Sequence, residues 1–440
     1  MQGLEHEKHE QLIGFAEPLP ATESRGRAIG FVVALMSMLL NQSSVIFNVN
    51  MSLADIFCIL TFLMLIYTTK WLTLFMPTVF FMSVTLTAVF TSLFYVPFKY
   101  FLAVDITGFA VSYIKLIVVF IYFLLGYNLS MYGHNNRVLK WFSAVAAATA
   151  IVGLPAAIFD FGPVSQALMY GGVRLIGLMN DPNYYSIIQA SAFVYFSRKP
   201  GLGNHKRALL LLMLAASIFA SGSKTGILTL LIYTLFRAIM AFFRRKVNVG
   251  LMAAVVMACN LAIIVSVFAK GLIYTGIKLM SEHIPAFHRI AMLFTDFSGA
   301  VSGMGSGRDL AWKVALALIR ESPVIGIGLG TYSDLAYQYY GTTVIAHNTY
   351  LQLMCEWGIV LTLLLFGYIF INIGRATLSD RAISTETLAL RDMLIIFLIG
   401  SLAISLNNAR MFWLFLGMFV ESSSKEKNPA GHDLQRYVYL

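Results

Sequence analysis

The chain consists largely of long apolar stretches, several of which approach the length that crosses a lipid bilayer. About 20 apolar residues of α-helix span the hydrocarbon core. These runs are continuous and lack the alternation of barrel strands, and only helices and closed barrels satisfy their backbone hydrogen bonds in lipid. The sequence therefore predicts an all-α polytopic membrane protein with about twelve transmembrane helices. We place them at residues 28–46, 52–69, 72–93, 107–126, 138–157, 183–197, 207–221, 224–243, 250–269, 347–373, 390–406 and 409–421.

Composition excludes the common soluble classes of protein. Of the 440 residues, 58% are hydrophobic and 12% are charged, whereas about 25% of the residues of a typical soluble domain are charged. The net charge of +10 does not indicate nucleic-acid binding, because most basic residues lie in short connections between apolar spans. The three cysteines lie inside the spans and form no disulfide or metal-binding pattern.

Basic residues are concentrated on one side of the predicted bundle. The connections on the side of the termini carry Arg25, Arg27, Lys70, Arg137, Lys140, Arg198, Lys199, Lys206, Arg207, Arg244, Arg245, Lys246, Arg375, Arg381, Arg391, Lys425 and Lys427. The short connections on the other side carry only Lys99, Arg174, Lys224 and Arg410. The positive-inside rule therefore predicts that both termini are cytoplasmic.

This topology divides the chain into five segments. We expect a cytoplasmic tail, transmembrane helices 1–9, a long outer loop with amphipathic helices, transmembrane helices 10–12 and a second cytoplasmic tail. These segments are residues 1–27, 28–269, 270–346, 347–421 and 422–440. Within the loop, the Gly/Ser-rich run 298–307 has the composition of a flexible hinge.

Two arginines on the outer side are candidates for binding an anion. Arg174 lies in a mostly apolar connection, and a guanidinium there suits bidentate binding of a phosphate. Arg308 begins an amphipathic segment that ends at Arg320, and a cation beside the free amides of a helix N-terminus favours an anion. A structural role for Arg174 and a solvated position for Arg308 stay open as alternatives.

Lys224 and Asn183 are secondary candidates on the same side. Lys224 lies in Ser-Gly-Ser-Lys-Thr-Gly, which lacks the first glycine of a phosphate-binding loop and favours a tight turn between two spans. Asp181 and Asn183 flank Pro182, a pattern that predicts a helix N-cap. The run Gly326-x-Gly328-x-Gly330 lies outside any βαβ unit, so it predicts a turn that ends the amphipathic helix.

His347 is the strongest single candidate for catalysis. It lies at the start of a predicted span, and an imidazole with an ordinary pKa near 6.5 suits the role of a general base. Asn348 and Tyr350 follow it, and Glu356 is an ionisable group inside the span, where it is costly unless partnered. A packed structural histidine is the alternative.

Together these motifs resemble the O-antigen ligase and polymerase superfamily of bacterial inner membranes. The residues that carry the resemblance are Arg174 before Gly177-x-x-Asn-Asp-Pro-Asn183, Arg308-x-x-x-Trp312, Pro323-x-x-Gly326-x-Gly328, and His347-Asn348 with nine residues before Gly358. The last pattern is more similar to the ligases than to the polymerases. Lys224 departs from the pattern, because relatives often carry arginine there.

The resemblance implies a GT-C-like glycosyltransferase of lipopolysaccharide biosynthesis. It would act on the periplasmic face of the inner membrane, transferring polysaccharide from undecaprenyl diphosphate to a sugar hydroxyl of lipid A–core, with inversion and without a metal or cofactor. Arg174 and Arg308 would bind the diphosphate and His347 would act as the base. The residues expected to contact substrate are Lys224, Asn348, Tyr350 and Asn183.

Two alternatives stay open. An O-antigen or exopolysaccharide polymerase, or a protein O-oligosaccharyltransferase, would share the donor chemistry and differ in the acceptor. A transporter of lipid-linked sugars would also need cations in a cavity, but no base beside them. If the enzyme hypothesis is right, Arg174, Arg308 and His347 should line one cavity.

Overall fold

The structure is a computed structural model that describes only part of the chain. The described residues are 20–46, 49–68, 71–103, 105–159, 161–243, 257, 271–272, 274–281, 284, 286–295, 308–343, 345–378 and 383–427. Three predictions fall mainly or wholly outside them, namely the span 250–269, the Gly/Ser-rich run 298–307 and most of both terminal tails.

Helices dominate the described part of the chain. They are α1 (Pro20–Leu39), α2 (Leu53–Thr68), α3 (Phe75–Phe90), α4 (Val96–Tyr100), α5 (Ile106–Met131), α6 (Asn135–Ile158), α7 (Pro163–Leu168), α8 (Pro182–Arg198), α9 (Asn204–Ala220), α10 (Lys224–Phe243), α11 (Ala286–Thr295), α12 (Arg308–Glu321), α13 (Tyr332–Tyr340), α14 (Thr349–Leu378), α15 (Thr385–Gly400) and α16 (Arg410–Lys427). A π-helical turn, Thr91–Tyr95, joins α3 to α4. Two short antiparallel hairpins pair β1 (Ser44–Ile46) with β2 (Val49–Met51) and β3 (Met169–Tyr170) with β4 (Arg174–Leu175).

The eleven predicted spans other than 250–269 each overlap one of these helices. Five described helices are long and apolar enough to cross a membrane, namely Phe75–Tyr100, Ile106–Met131, Asn135–Ile158, Lys224–Phe242 and Thr349–Leu378. The count of twelve crossings stays a prediction. The first helix begins and ends earlier than predicted, because its last predicted residues pair as the β1–β2 hairpin.

Close backbone contact joins the longest described helix of the first half to the last helix. Gly126 on α5 lies against the backbone of Leu414 on α16, and Gly417 lies against the backbone of Phe123. A Cβ at either glycine would clash with a main-chain carbonyl. Small residues at such crossings allow the close packing that holds helices together in lipid, where no hydrophobic effect acts between them.

A break in α14 is fixed by the turn that follows α12. Gly358 has φ 81° and ψ 167°, so the helix is interrupted there. The break exposes carbonyls that the helix would otherwise use, and two amides of the turn bond to them. Ile327 N donates to Cys355 O at 2.7 Å, and Gly328 N donates to Glu356 O at 3.1 Å. The glycine-rich run therefore ends α12, as predicted, and also locks the shape of α14.

A buried carboxylate ties three helices together at one end of the bundle. Asp392 on α15 is fully buried and is bonded by Arg198 of α8, Arg237 of α10 and the neighbouring Arg391. Arg391 Nη2 lies 2.7 Å from Asp392 Oδ1, and the Tyr233 hydroxyl donates to Oδ2 at 2.6 Å. Arg198 and Arg391 are themselves largely buried, so this carboxylate compensates charges that water cannot reach.

We expect Asp392→Asn to destabilise the fold strongly. The substitution keeps the shape of the side chain but leaves buried arginines without their counter-charge, which costs about 3–5 kcal/mol. Thermal unfolding of the purified protein in detergent should show a clear fall in the midpoint. The exposed Lys206→Gln serves as the control and should change stability by no more than about 0.5 kcal/mol. Equal midpoints for the two variants would contradict the assignment.

Candidate active site

One large cavity opens among the helix ends that lie away from Asp392. Its volume is about 1350 Å³, which exceeds the ~300–1,000 Å³ of a typical small-molecule site. The described N-terminal ends of several helices contribute to its lining, among them Asp55 of α2, Gly108 of α5, Asn183 of α8, Lys224 of α10, Arg308 of α12, Tyr332 of α13, His347 before α14 and Arg410 of α16. Helix N-termini carry partial positive charge, so this arrangement favours an anionic ligand.

Arg174 is held in place by hydrogen bonds from its guanidinium. Its Nε donates to Ser221 O at 2.9 Å and its Nη2 donates to Asn183 Oδ1 at 3.3 Å. Asn183 Oδ1 also accepts from Ser223 Oγ at 2.9 Å, which fixes the amide. Arg174 forms no salt bridge with any residue that the structure describes, so its charge is available to a ligand in the cavity.

Arg308 and Arg289 add two further cations to the same region. Burial lowers the pKa of Arg308, with Asp181 opposing the change and Arg289 adding to it. Burial, followed by Arg289, lowers the pKa of Arg174 to about 10, again against the effect of Asp181. Both guanidinium groups stay protonated at neutral pH. These mutual effects require that the charges lie near one another.

His347 faces these cations at the start of α14. Its backbone adopts φ 46°, a left-handed conformation that is uncommon outside glycine. Burial and then Arg308 lower the pKa of His347, with a smaller opposing effect from Asp181. The imidazole is therefore neutral at pH 7, which is the form that accepts a proton. The hydrogen bonds among described residues leave both of its ring nitrogens unused.

Positive charge exceeds negative charge in the cavity lining. The basic side chains are Lys115, Arg174, Lys224, Arg289, Arg308 and Arg410, and the acidic ones are Asp55, Asp181 and Glu356. Asp55 is occupied by Arg410, whose Nε lies 2.5 Å from its Oδ1. Asp181 accepts two backbone N–H groups as the N-cap of α8. The excess charge is thus greatest around Arg174, Arg289 and Arg308.

Residues 208–366 match the family model described as O-antigen ligase. The match covers 159 of the 440 residues, and it supports the resemblance of the chain to the O-antigen ligase superfamily. The matched segment runs from α9 into α14 and contains Lys224, Arg308 and His347, whereas Arg174 precedes it. No match was found among the curated proteins.

The structure brings five of the seven predicted site residues into one lining. Arg174, Arg308, His347, Lys224 and Asn183 all border the cavity. The catalytic and binding roles assigned to them stay predictions.

Asn348 and Tyr350 do not belong to the cavity lining, in contrast to the prediction. The Asn348 side chain caps α14, because its Oδ1 accepts from the amides of Tyr350 and Leu351. Its Nδ2 donates to Leu402 O at 3.0 Å. The Tyr350 hydroxyl donates to Leu398 O at 2.9 Å. Both polar groups are used within the fold, Asn348 by the cap of α14 and the connection after α15, and Tyr350 by α15 itself.

Sequence reasoning missed three groups that line the cavity. Arg289 lies on α11 and was not proposed as a site residue. A basic residue in a short apolar helix of the outer loop could have indicated a candidate anion-binding position. Lys115 lies inside the apolar helix α5, where a lone cation is costly and marks a functional site by default. Arg410 was considered only for the membrane topology, but it forms a salt bridge with Asp55, and its Nη2 donates to Asp55 Oδ2 at 2.7 Å.

We expect Arg308→Gln to weaken pyrophosphate binding to the purified protein. A hydrogen bond to a charged group is worth about 1.5–3 kcal/mol, so the dissociation constant should rise about 10-fold or more. Isothermal titration calorimetry in detergent measures the change. Arg320→Gln is the matched control, because Arg320 is exposed at the other end of α12. Equal affinities for wild type and Arg308→Gln would contradict the assignment.

Proposed function

We propose that this chain is an O-antigen ligase, which transfers a polysaccharide from undecaprenyl diphosphate to a sugar hydroxyl of lipid A–core. The observation that carries the proposal is the convergence of Arg174, Arg308 and His347 on one cavity, in a chain whose residues 208–366 match the O-antigen ligase family model. Two cations and a neutral imidazole are the groups that such a transfer requires.

The diphosphate leaving group needs fixed positive charge. It departs as an anion. Positive groups that are preorganised where this negative charge develops make the largest single contribution to the rate enhancement of many enzymes. Arg174 and Arg308 supply that charge, with Lys224 and Arg289 beside them. Guanidinium groups also hold the phosphate oxygens by directed hydrogen bonds. In this proposal no metal ion or cofactor is needed.

His347 acts as the general base in the proposed reaction. The acceptor hydroxyl attacks the anomeric carbon on the face opposite to the diphosphate. As the new carbon–oxygen bond forms, the hydroxyl proton passes to a ring nitrogen of His347. The bond between the anomeric carbon and the diphosphate oxygen breaks, and its electron pair leaves on the diphosphate. Attack from the opposite face inverts the configuration at the anomeric carbon.

Both substrates carry lipid tails, so the cavity has to open sideways into the membrane. Ile59 on α2 and Ile114 on α5 line the cavity and are each more than half exposed. These two side chains are apolar, line the cavity and are exposed on the protein surface. They therefore support a lateral opening of the cavity between α2 and α5. Lipid-linked sugars would enter there while their tails stay in the bilayer.

We place the cavity on the periplasmic side of the inner membrane and both termini in the cytoplasm. Arg198 and Arg375 lie in the last turns of α8 and α14, and Lys206 lies in the first turn of α9. These helix ends are opposite to those that border the cavity. The positive-inside rule then favours a periplasmic cavity.

Reconstitution with purified donor and acceptor lipids separates the alternatives. A ligase produces capped lipid A–core, and it does so equally well in the presence of EDTA. A polymerase produces a longer lipid-linked glycan, and a protein O-oligosaccharyltransferase glycosylates a polypeptide instead. If no glycan is transferred to any acceptor but lipid-linked sugar crosses the vesicle membrane, the chain is a transporter and the proposal is wrong.

His347→Ala should lower kcat for glycan transfer by about 10²- to 10⁴-fold, the usual contribution of a general base. Pyrophosphate affinity should change little, since the cations are untouched. The exposed His205→Gln at the other end of the bundle is the control and should transfer at the native rate. Transfer by His347→Ala at the native rate would remove the base from the mechanism.

The pH dependence of transfer should respond to the charges around His347. The reaction needs the neutral imidazole, so kcat/KM falls as the pH drops through the pKa of His347. Asp181 raises that pKa, so Asp181→Asn should move the acidic limb to lower pH. Asparagine caps helices as well as aspartate does, which keeps α8 intact. Arg308→Gln should move the acidic limb of its remaining activity to higher pH. Shifts in the opposite directions for the two variants would exclude His347 as the titrating base.

A further inference from the structure

A second polar cluster lies in the cavity, along α14 beyond His347. Lys115 of α5 and Gln352 and Glu356 of α14 line the cavity, and the binding of a diphosphate does not account for them. Glu356 is 8% exposed and Gln352 is 9% exposed. Gln352 Nε2 donates to Glu356 Oε1 at 2.5 Å. Gln352 and Glu356 are thus largely buried, Lys115 is half-buried, and all three line the cavity.

One buried polar atom of this cluster lacks a partner among the described residues. Gln352 Oε1 is buried and accepts no hydrogen bond from the described part of the chain. Lys115 interacts with Glu356 electrostatically, but the two do not form a salt bridge. A buried polar atom without a partner costs about 1–3 kcal/mol. A ligand seated between Lys115 and Glu356 could donate a hydrogen bond to Gln352 Oε1 and interact with both charged groups.

The backbone fixes Glu356 in position. The carbonyls of Cys355 and Glu356 are bonded by the amides of Ile327 and Gly328, directly before the break at Gly358. The turn continues through Gly330 into the cavity wall. A helix that is broken inside the membrane is tolerated where it lines a cavity held by protein. This arrangement fixes the backbone that carries Glu356, and Gln352 holds its carboxylate, as a preorganised binding site requires.

The position along α14 relates the cluster to the proposed base. Glu356 lies seven residues beyond the start of the helix at Thr349, a rise of about 10 Å. His347, directly before the helix, Gln352 and Glu356 therefore lie along one cavity wall. The diphosphate-binding cations Arg174 and Arg308 belong to other elements, β4 and α12.

We infer that Lys115, Gln352 and Glu356 form a binding subsite for the hydroxyl groups of the acceptor saccharide, an inference that rests on the proposed function. The carboxylate and amide oxygens accept hydrogen bonds from hydroxyls, and the ammonium donates to hydroxyl oxygens. One positive and one negative group together suit a polyol better than a diphosphate. The subsite takes the acceptor because it shares α14 with His347, which receives the proton of the acceptor hydroxyl.

Steady-state kinetics of the reconstituted full-length protein test the subsite. With donor at saturation, Glu356→Gln and Lys115→Met should each raise KM for lipid A–core about 10-fold or more, as expected for a lost charged hydrogen bond. kcat and KM for the lipid-linked donor should stay close to native values. Because a single variant leaves a lone buried charge, the double variant Lys115→Met/Glu356→Gln provides a form without that penalty.

Thr362→Val is the matched control for this experiment. Thr362 is buried one turn beyond the break in α14, and its Oγ1 donates to Gly358 O at 2.8 Å. It does not line the cavity, so KM for the acceptor should not change. Thermal unfolding of each variant checks that the protein is folded.

The outcomes separate the subsite from the proposed function. An unchanged acceptor KM in the folded double variant overturns the subsite, as does a fall in kcat with acceptor KM unaltered. Direct binding of lipid A–core oligosaccharide in the absence of donor gives a second measurement. If wild type transfers no glycan but binds this oligosaccharide more tightly than the double variant does, the proposed function fails while the subsite stands. Equal binding by the two proteins overturns the subsite as well.

Discussion

The concentration of positive charge around one cavity is the constraint on which this structure depends. Burial lowers the pKa of Arg174 and of Arg308, Arg289 lowers both further, and Asp181 is the carboxylate that opposes these changes. In a region of low effective dielectric the repulsion between like charges is stronger than in water, so holding these cations near one another costs stability. A bound diphosphate would replace repulsion with attraction, and a ligand that binds only the native state stabilises it. Cations placed beforehand also need no rearrangement during the reaction.

The rest of the fold resists that repulsion by rigid contacts. At the opposite end, Asp392 gathers three arginines and ties α8, α10 and α15 together. Glycines at the crossing of α5 and α16 bring the two backbones into contact. The break in α14 is held by the amides of the turn that follows α12. The same hydrogen bonds fix the cavity wall that carries Glu356. The turn after α12 therefore holds the break in α14 and also positions the proposed acceptor subsite.

Much of the local structure was predictable from local patterns. Asp181 caps α8 and Arg308 starts α12, as the residues around them indicated. On the amphipathic helix α12, Ala311 and Ala315 pack inside while Leu310 is exposed. Asn348 and Tyr350 are predicted to contact substrate because they lie close to His347 in the sequence. Side chains of adjacent residues in the first turn of a helix, however, point in different directions. The Asn348 amide caps α14, and the Tyr350 hydroxyl bonds to a carbonyl of α15.

Apolar length indicates most of the described helices of this protein, because lipid offers the backbone no hydrogen-bond partners other than its own. The sequence also shows which charged residues lie within apolar spans, where they are energetically unfavourable, such as Lys115 within α5. The grouping of those residues depends on contacts between distant parts of the chain. Arg174 bonds to Ser221 at 2.9 Å across 47 positions, and the amide of Gly328 bonds to Glu356 from a separate turn. Such contacts arise from the packing of whole helices, and a local pattern carries no information about which helix ends will meet.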